Sequence, residues 1–502
     1  MDLKYLIESD ELREQKDKFK RIFFYRICGT GMGGAATLLK ESGYDVEGAD
    51  AEFYPPMSDY LKSSNIKCHH LKDVTDNYLK SFDLIIMGNV VARDSEHAKR
   101  VETLQVPFTS FPCAIGALFL ADQNVVGIAG THGKTTTTYF LVQLFRKLGF
   151  NPGYLVGGVL PNENSAQMGD GSYFFIESDE YDSAYFHKMS KFHFYYIDHL
   201  ILTSLEYDHA DIYDSLDAIE GEFSRLIPKV SKSFIFNSDY KSAMKLFNAN
   251  MDKDSDWSFY GENSENGSGP HTKEMIFHED KSEFSLNLDG KREHFVTNIT
   301  GKQNILNLTA AIVLAFKQKI PLEKIKEAIT SLKMVKRRQE VRGKYKGAIV
   351  IDDFAHHPTA VKLTIENVRI RYPDKHMLVV FAPSSATARS SIFQDEFFES
   401  LMINNSGADE VILVTPPRTA NIKHAGNLDC YLLRDKIKAM GVGVEVVSTL
   451  ADLINSMDRS VDRVSRVNGR DFVILILSNG SVLGLWESEF VKQLEQLEQV
   501  LP

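Results

Sequence analysis

A chain of 502 residues, 43% apolar and 25% charged, is too long for one ordinary domain and has the make-up of a folded globular protein. Its 57 basic and 68 acidic residues leave a net charge of −11, which argues against sequence-independent nucleic-acid binding, where a basic face is required. The cysteines Cys28, Cys68, Cys113 and Cys430 form no Cys-x-x-Cys pair, so neither a disulfide framework nor a zinc site is expected, and a reducing compartment fits.

Residues 1–20 are rich in Asp, Glu and Lys and lack an apolar h-region, so they read as a charged extension rather than a signal peptide. No run approaches the ~20 apolar residues of a membrane span, and a cytoplasmic location is expected. Beyond this extension, strand-like runs alternate with helical patterns, which reads as α/β. Arg21–Cys28 predicts a strand that ends in Gly29-Thr30-Gly31-Met32-Gly33-Gly34. A helix to about Ser42 follows, then a strand Asp45–Gly48 ending near Asp50. Another strand, Leu84–Met87, closes on Gly88-Asn89, and this first unit spans 21–122. The glycine cluster fits G-x-G-x-x-G, with Asp50 ~20 residues further on. It suggests a nucleotide diphosphate at the helix start with Asp50 near a ribose or base. A purely structural turn or a nicotinamide oxidoreductase would show the same spacing.

The second unit, 123–335, opens with a strand Val125–Ala129, the turn Gly130-Thr131-His132-Gly133-Lys134-Thr135-Thr136 and a helix through Leu148. Backbone N–H groups at such a turn surround an anion. Lys134 would reach the terminal phosphates of ATP, and the Thr135 hydroxyl would coordinate Mg²⁺. Ile128 departs from the strict G-x-x-x-x-G-K-[ST] spacing. A strand Phe174–Ile176 stops at Glu177, and the apolar run His199–Leu205 leads to His209; groups at two such strand ends would meet over the phosphates and hold the metal. Asn250–Lys291 turns polar and Gly/Ser-rich, predicting a β-rich excursion or a long loop. Helices are predicted over Ile305–Lys319 and Leu322–Leu332.

The third unit, 336–502, shows strands at Ala348–Ile351, Leu378–Phe381, Glu410–Val414 and Val473–Leu477. Arg337-Arg338 sits at its entrance, where an arginine can swing onto a γ-phosphate as domains close. Asp352-Asp353-Phe354-Ala355-His356-His357-Pro358 follows. Adjacent residues at a strand end point apart, so a metal site built on both histidines is not expected. Cys68-His69-His70 has no partner cluster and reads as surface or core filler.

These motifs together resemble the Mur ligase family over nearly the whole chain from Arg21. Gly130–Thr136 is similar to the family's phosphate loop, Asp352–Pro358 to the opening of its C-terminal domain, and Gly301–Asn307 to its adenine-side helix, with Gln303 where a histidine is usual. The resemblance implies three domains: a Rossmann-like UDP-binding domain, a central P-loop ATPase domain and a Rossmann-like C-terminal ligase domain. It implies roles as well. Gly130, Thr131, His132, Gly133, Lys134, Thr135 and Thr136 would bind ATP with Asn304 on adenine, Arg338 on a phosphate and Asp353 on the ribose. Thr135, Glu177 and His209 would hold Mg²⁺. Gly29, Gly31, Gly34, Asp50 and Asn89 would bind the UDP-sugar, and Lys134, Glu177, His209 and Arg338 would carry the catalysis.

Within the family, Cys28–Gly34, Tyr54–Ser58, Asp179–Asp182 with Lys191-Phe192, and Ser478–Gly480 look like the members that join the murein tripeptide L-alanyl-γ-D-glutamyl-meso-diaminopimelate to UDP-N-acetylmuramate. The implied activity is peptide-bond formation through an acyl phosphate in peptidoglycan recycling. The alternative is addition of L-alanine to the same acceptor. Ser384-Ser385-Ala386-Thr387 stands where those members usually carry Arg-Ser-Asn-Thr. A protein that uses the phosphate loop only as a conformational switch would hydrolyse ATP without any UDP-sugar, and would leave Gly29–Gly34 without a purpose.

Overall fold

Runs such as Leu84–Met87 and Phe472–Leu477 are apolar on both faces of a strand, which suits parallel sheets covered by helices on each side. The computed structural model describes residues 3–495 apart from 56, 252–254, 263–268, 279, 404–406, 417–425 and 469–470, with backbone alone over 464–468. Among the described residues the strands form four sheets.

The first contains β1 (Arg21–Tyr25), β2 (Asp45–Asp50), β3 (Lys67–His70), β4 (Leu84–Met87) and β5 (Phe108–Ser110), all parallel, in the order β3-β2-β1-β4-β5. The order reverses between β1 and β4, so a crevice opens beyond their C-terminal ends, where an open α/β sheet takes its ligands. Gly29 and Gly88-Asn89 lie there.

The second sheet contains β6 (Asn124–Ala129), β7 (Gly153–Leu155), β8 (Ala166–Gln167), β9 (Tyr173–Glu177), β10 (His199–Leu202), β11 (Ser233–Asn237) and β12 (Asp256–Tyr260), in the order β12-β11-β10-β6-β9-β7-β8. Only β8 runs antiparallel to its neighbour. β6 lies between β9 and β10, with the strands that follow it placed on both sides, which puts a second switch point at Gly130. Beyond β12 the polar stretch forms strands: β13 (Thr272–Phe277), β14 (Ser282–Leu288) and β15 (Lys291–Thr297) make an antiparallel meander. Part of that stretch, including 263–267, lies outside the described residues.

The fourth sheet, β16 (Glu340–Tyr345), β17 (Ala348–Asp353), β18 (His376–Phe381), β19 (Glu410–Val414), β20 (Gly443–Val447) and β21 (Phe472–Leu477), has the order β16-β17-β21-β18-β19-β20. β16 pairs antiparallel with β17 and the rest are parallel.

The charged extension packs on the body. Ile7 N–H donates to Phe108 O at 3.0 Å, Phe108 N–H donates to Tyr5 O at 2.9 Å, and Leu12 is buried. Glu8 lies 3.1 Å from His187 Nε2, Ser9 Oγ is 3.1 Å from the Tyr196 hydroxyl, and Arg13 lies over the Tyr196 ring. The extension therefore covers the β5 edge of the first sheet and also touches the second unit.

His199 is buried on β10 with Nδ1 2.7 Å from Ser233 Oγ on β11. Burial lowers its pKa to about 4, and burial likewise takes His356 and His357, at the entrance to the third unit, to about 4. The folded chain keeps these rings neutral while the unfolded chain protonates them near 6.5. Stability is therefore lost as pH falls from about 6.5 toward 4. The apparent thermal midpoint should drop between pH 7.5 and pH 5, and drop less in His199→Gln. A midpoint that is flat over that range would contradict this account.

Candidate active site

The turn after β6 depends on glycine at two positions. Gly130 (φ +128°) and Gly133 (φ +86°) adopt left-handed backbone. A Cβ on Gly130 would come 2.5 Å from Thr203 Oγ1, and one on Gly133 would come 2.4 Å from Asn307 Oδ1. These approaches seat the turn between the end of β10 and the helix Lys302–Lys317. His132 N–H donates to Ser204 Oγ at 2.7 Å, and the Thr131 hydroxyl pairs with the Glu206 backbone. Gly133 caps the helix Lys134–Lys147 without a side chain, which leaves the first-turn amides to an anion. Thr136 is buried beneath them. Lys134 Nζ donates to Gly130 O at 2.6 Å and to Glu180 Oε2 at 3.0 Å. Burial works against its charge, but the Glu180 and Asp179 carboxylates outweigh it and raise its pKa.

Glu177, at the end of β9, accepts from Gly157 N–H at 2.7 Å, and burial raises its pKa against that hydrogen bond, Lys134 and Thr135. His209 does not join Glu177 in a cluster. Instead the structure gathers Asp179, Glu180 and His209, one donor atom from each lying within 4.8 Å of the others. His209 Nε2 is 3.5 Å from Glu180 Oε1. Burial would lower the His209 pKa, but Glu180, Asp208 and Asp179 carry it up to about 9. Thr135 and Glu177 on one side, with Asp179, Glu180 and His209 on the other, form an oxygen-rich donor set that fits a hard cation such as Mg²⁺. The sequence shows Glu177–Asp182 as an acidic run, yet periodicity in a loop gives no way to tell which of its members turn inward.

Glu206-Tyr207-Asp208 receives the third unit. Glu206 Oε2 is 2.8 Å from His132 Nε2 while its Oε1 accepts from Thr359 Oγ1 at 3.0 Å. His357 Nε2 donates to Tyr207 O at 3.1 Å, its Nδ1 accepts from Thr359 N–H at 3.3 Å, and its ring lies 4.7 Å from that of His132. Both nitrogens of His357 are thus engaged, and the group acts as a docking contact. Thr387 Oγ1 donates to Asp208 at 2.5 Å. His356 sits beside it, with Nδ1 3.0 Å from Phe354 O and its ring within the field of Asp208.

Asn304 and Arg338 line one cavity of about 270 Å³, together with Thr300, Met334 and Gln339. Arg337 points elsewhere, holding Ser478 O at 2.7 Å and Asp352 at 3.2 Å. Asp353 is not among the lining residues: its carboxylate accepts from Ala355 N–H at 2.7 Å and Gln339 N–H at 2.8 Å, tying down the backbone of the junction.

Gly29, Gly31, Asp50 and Asn89 line a cavity of about 520 Å³ beyond β1 and β4, with Arg26, Tyr54 and Lys191. Asp50 accepts from Cys28 N–H at 2.8 Å and lies 3.2 Å from Arg26 Nε. Asn89 Nδ2 donates to Asp182 O at 3.0 Å, joining this cavity to the acidic run of the second unit. Gly34 lies apart from it. A Cβ there would come 2.5 Å from Leu155 and 3.3 Å from Ala166, so the third glycine of the motif lets its helix pack against β7 and β8. Arg26 carries no motif; its left-handed backbone (φ +73°) at the strand end aims it into the crevice.

Models of three domains match the chain in order: the catalytic domain of the Mur ligase family at 21–123, the Mur ligase middle domain at 128–315, and the glutamate ligase domain of Mur ligases at 337–476. The UDP-N-acetylmuramate–L-alanyl-γ-D-glutamyl-meso-2,6-diaminoheptandioate ligase of Escherichia coli is 33% identical over 475 residues, covering 93% of this chain and 96% of that one. A murein peptide ligase from Psychrobacter arcticus superposes with a TM-score of 0.67 at 26% identity, over 96% of this chain and 100% of that one. The UDP-N-acetylmuramate–L-alanine ligase of Desulfitobacterium hafniense is 28% identical, covering 86% of this chain and 92% of its own.

Proposed function

The chain belongs to the Mur ligase family, and we propose that it is the ATP-dependent ligase that joins L-alanyl-γ-D-glutamyl-meso-diaminopimelate to UDP-N-acetylmuramate. One observation carries the reading. Residues 179–182 touch Lys134 of the phosphate loop at one end and Asn89 of the first-unit cavity at the other. An acceptor seated in that cavity thus extends toward a nucleotide seated on the loop. None of the helices is long and apolar enough to cross a membrane, among the described residues.

The acceptor carboxylate attacks the γ-phosphorus, the bond to the β-phosphate oxygen breaks and ADP leaves. The peptide amine then attacks the acyl phosphate and phosphate departs. The first step brings like charges together, so the residues present act by charge and position. Lys134 and the amides at the start of its helix hold the phosphates, and Arg338 faces them from the third unit across the cavity it shares with Asn304. Thr135 and Glu177 on one side and the Asp179, Glu180 and His209 group on the other would hold Mg²⁺, which would neutralise charge on the phosphates. The contacts of Thr359, His357 and Thr387 with Glu206–Asp208 bring the third unit over the loop and exclude water that would hydrolyse the acyl phosphate.

Gly29 and Gly31 let the diphosphate approach the backbone, and Asp50 holds the turn through Cys28 N–H. The 384–387 segment faces this centre through Thr387. Ser384 packs against Gly480, where a Cβ would come 2.4 Å from its Oγ, so it offers no cation to the incoming peptide. On the proposed reading, which rests on the cavity-to-loop geometry and not on this segment, phosphate release from ATP with UDP-N-acetylmuramate should require the tripeptide and yield UDP-muramyl-tripeptide. Release that answers to L-alanine alone would move the protein to the alanine-adding step, and release that needs no UDP-sugar would leave only an ATPase.

A further inference from the structure

One carboxylate joins the phosphate loop to the first-unit cavity. Asp179 faces Lys134 Nζ through Oδ1 at 3.5 Å and Lys191 Nζ through Oδ2 at 2.8 Å. Lys191 opens the short 3₁₀ helix Lys191–Phe194 and lines the cavity of about 520 Å³. Its ammonium lies 5.3 Å from the centre of the Tyr181 ring, and its side chain is 15% exposed. The cavity's other cation, Arg26, is paired with Asp50 at 3.2 Å. Lys191 is therefore the cavity cation on the side of the phosphate loop.

We propose that Lys191 binds and positions the carboxylate of the acceptor, distinguishing a UDP-sugar that carries this group from one that does not. The inference rests on reading the cavity as the UDP-sugar site. An ammonium has three N–H donors, so Lys191 keeps Asp179 with one and takes the substrate carboxylate with another. Asp179 in turn fixes the ammonium relative to Lys134. The carboxylate is thereby held beside the path to the phosphate instead of being repelled by Asp179 and Glu180.

The test is calorimetric titration of the full chain, without ATP, with UDP-N-acetylmuramate and with UDP-N-acetylglucosamine, which lacks the carboxylate. The wild type should prefer the first by about tenfold or more, the effect of one charge-assisted hydrogen bond. Lys191→Met should erase that preference while leaving the affinity for UDP-N-acetylglucosamine within about twofold, and Lys191→Arg should keep part of it. Equal weakening toward both ligands would show a lysine that only props Asp179, and a preference that survives in Lys191→Met would equally overturn the proposal. If the wild type binds neither compound, the UDP-sugar reading of the cavity falls and takes the lysine's role with it. Wild-type preference with no change in the variant removes the lysine alone.

Discussion

Lys134→Ala should lower kcat for ligation by about a thousandfold or more, the scale expected when a preorganised charge at the reacting centre is removed. The side chain is 14% exposed, and its ammonium sits between the loop carbonyl of Gly130 and the carboxylates of Glu180 and Asp179. Bound phosphates would take the place of those carboxylates as its partners. Without it, Asp179 and Glu180 also face each other with one counter-charge fewer, so some loss of stability accompanies the loss of rate. Thermal unfolding of the same preparation separates the two effects: a folded variant with no tripeptide-dependent phosphate release is the expected result. Near-normal turnover would remove Lys134 from the mechanism.

Gly116→Ala should be the most damaging small change away from the chemistry. Gly116 lies in the helix Phe111–Leu118, and a Cβ there would come 1.9 Å from the carbonyl oxygen of Phe194. That oxygen is backbone and cannot swing aside, so either the helix or the Lys191–Phe194 turn must move. Overpacking of this kind costs about 3 kcal/mol. The same turn begins with Lys191, so the displacement also reaches the cavity wall, and KM for the UDP-sugar should rise along with the fall in midpoint. Gly221→Ala is the control. Gly221 lies in the helix Leu216–Leu226 with nothing within 4 Å of the added carbon, and the change should stabilise by up to about 1 kcal/mol. If the two variants behave alike, the contact with Phe194 is not what matters.

The elements that sequence reasoning reached are those whose signal is local. Leu84–Met87 and Glu410–Val414 are strands with the predicted bounds because a contiguous apolar run flanked by turn residues leaves little alternative. The phosphate loop was legible because Gly, Lys and Thr at that spacing after a strand have a mechanical reason to be together. β7 and β8 were missed: three and two residues long, they are too short to show a period. Gly34 satisfies a local pattern, yet its surroundings come from Leu155 and Ala166, far along the chain. Asp179, Glu180 and Lys191 acquire their places only when a loop folds across the ends of two sheets, and no spacing rule describes that crossing. The third unit's seat on Glu206–Asp208 is of the same kind, with His357, Thr359 and Thr387 converging from separate segments.

The segment Tyr5–Arg13 has a consequence for how the enzyme's cycle can be timed. It clasps Phe108 of the first unit and His187 and Tyr196 of the second, alongside the Gly116–Phe194 contact and the Asn89–Asp182 hydrogen bond. The third unit rests on the second through the hydrogen bonds of His357, Thr359 and Thr387 to Glu206–Asp208, the Tyr207 ring beside Phe393 and the Lys302 N–H on Asn367, and is reached by the single stretch of chain between Leu332 and Gln339. Motion during turnover should collect in that connection. A donor dye on the second unit and an acceptor dye on the third would then flicker with each round of ligation. The same pair placed on the first and second units would hold a steady signal throughout.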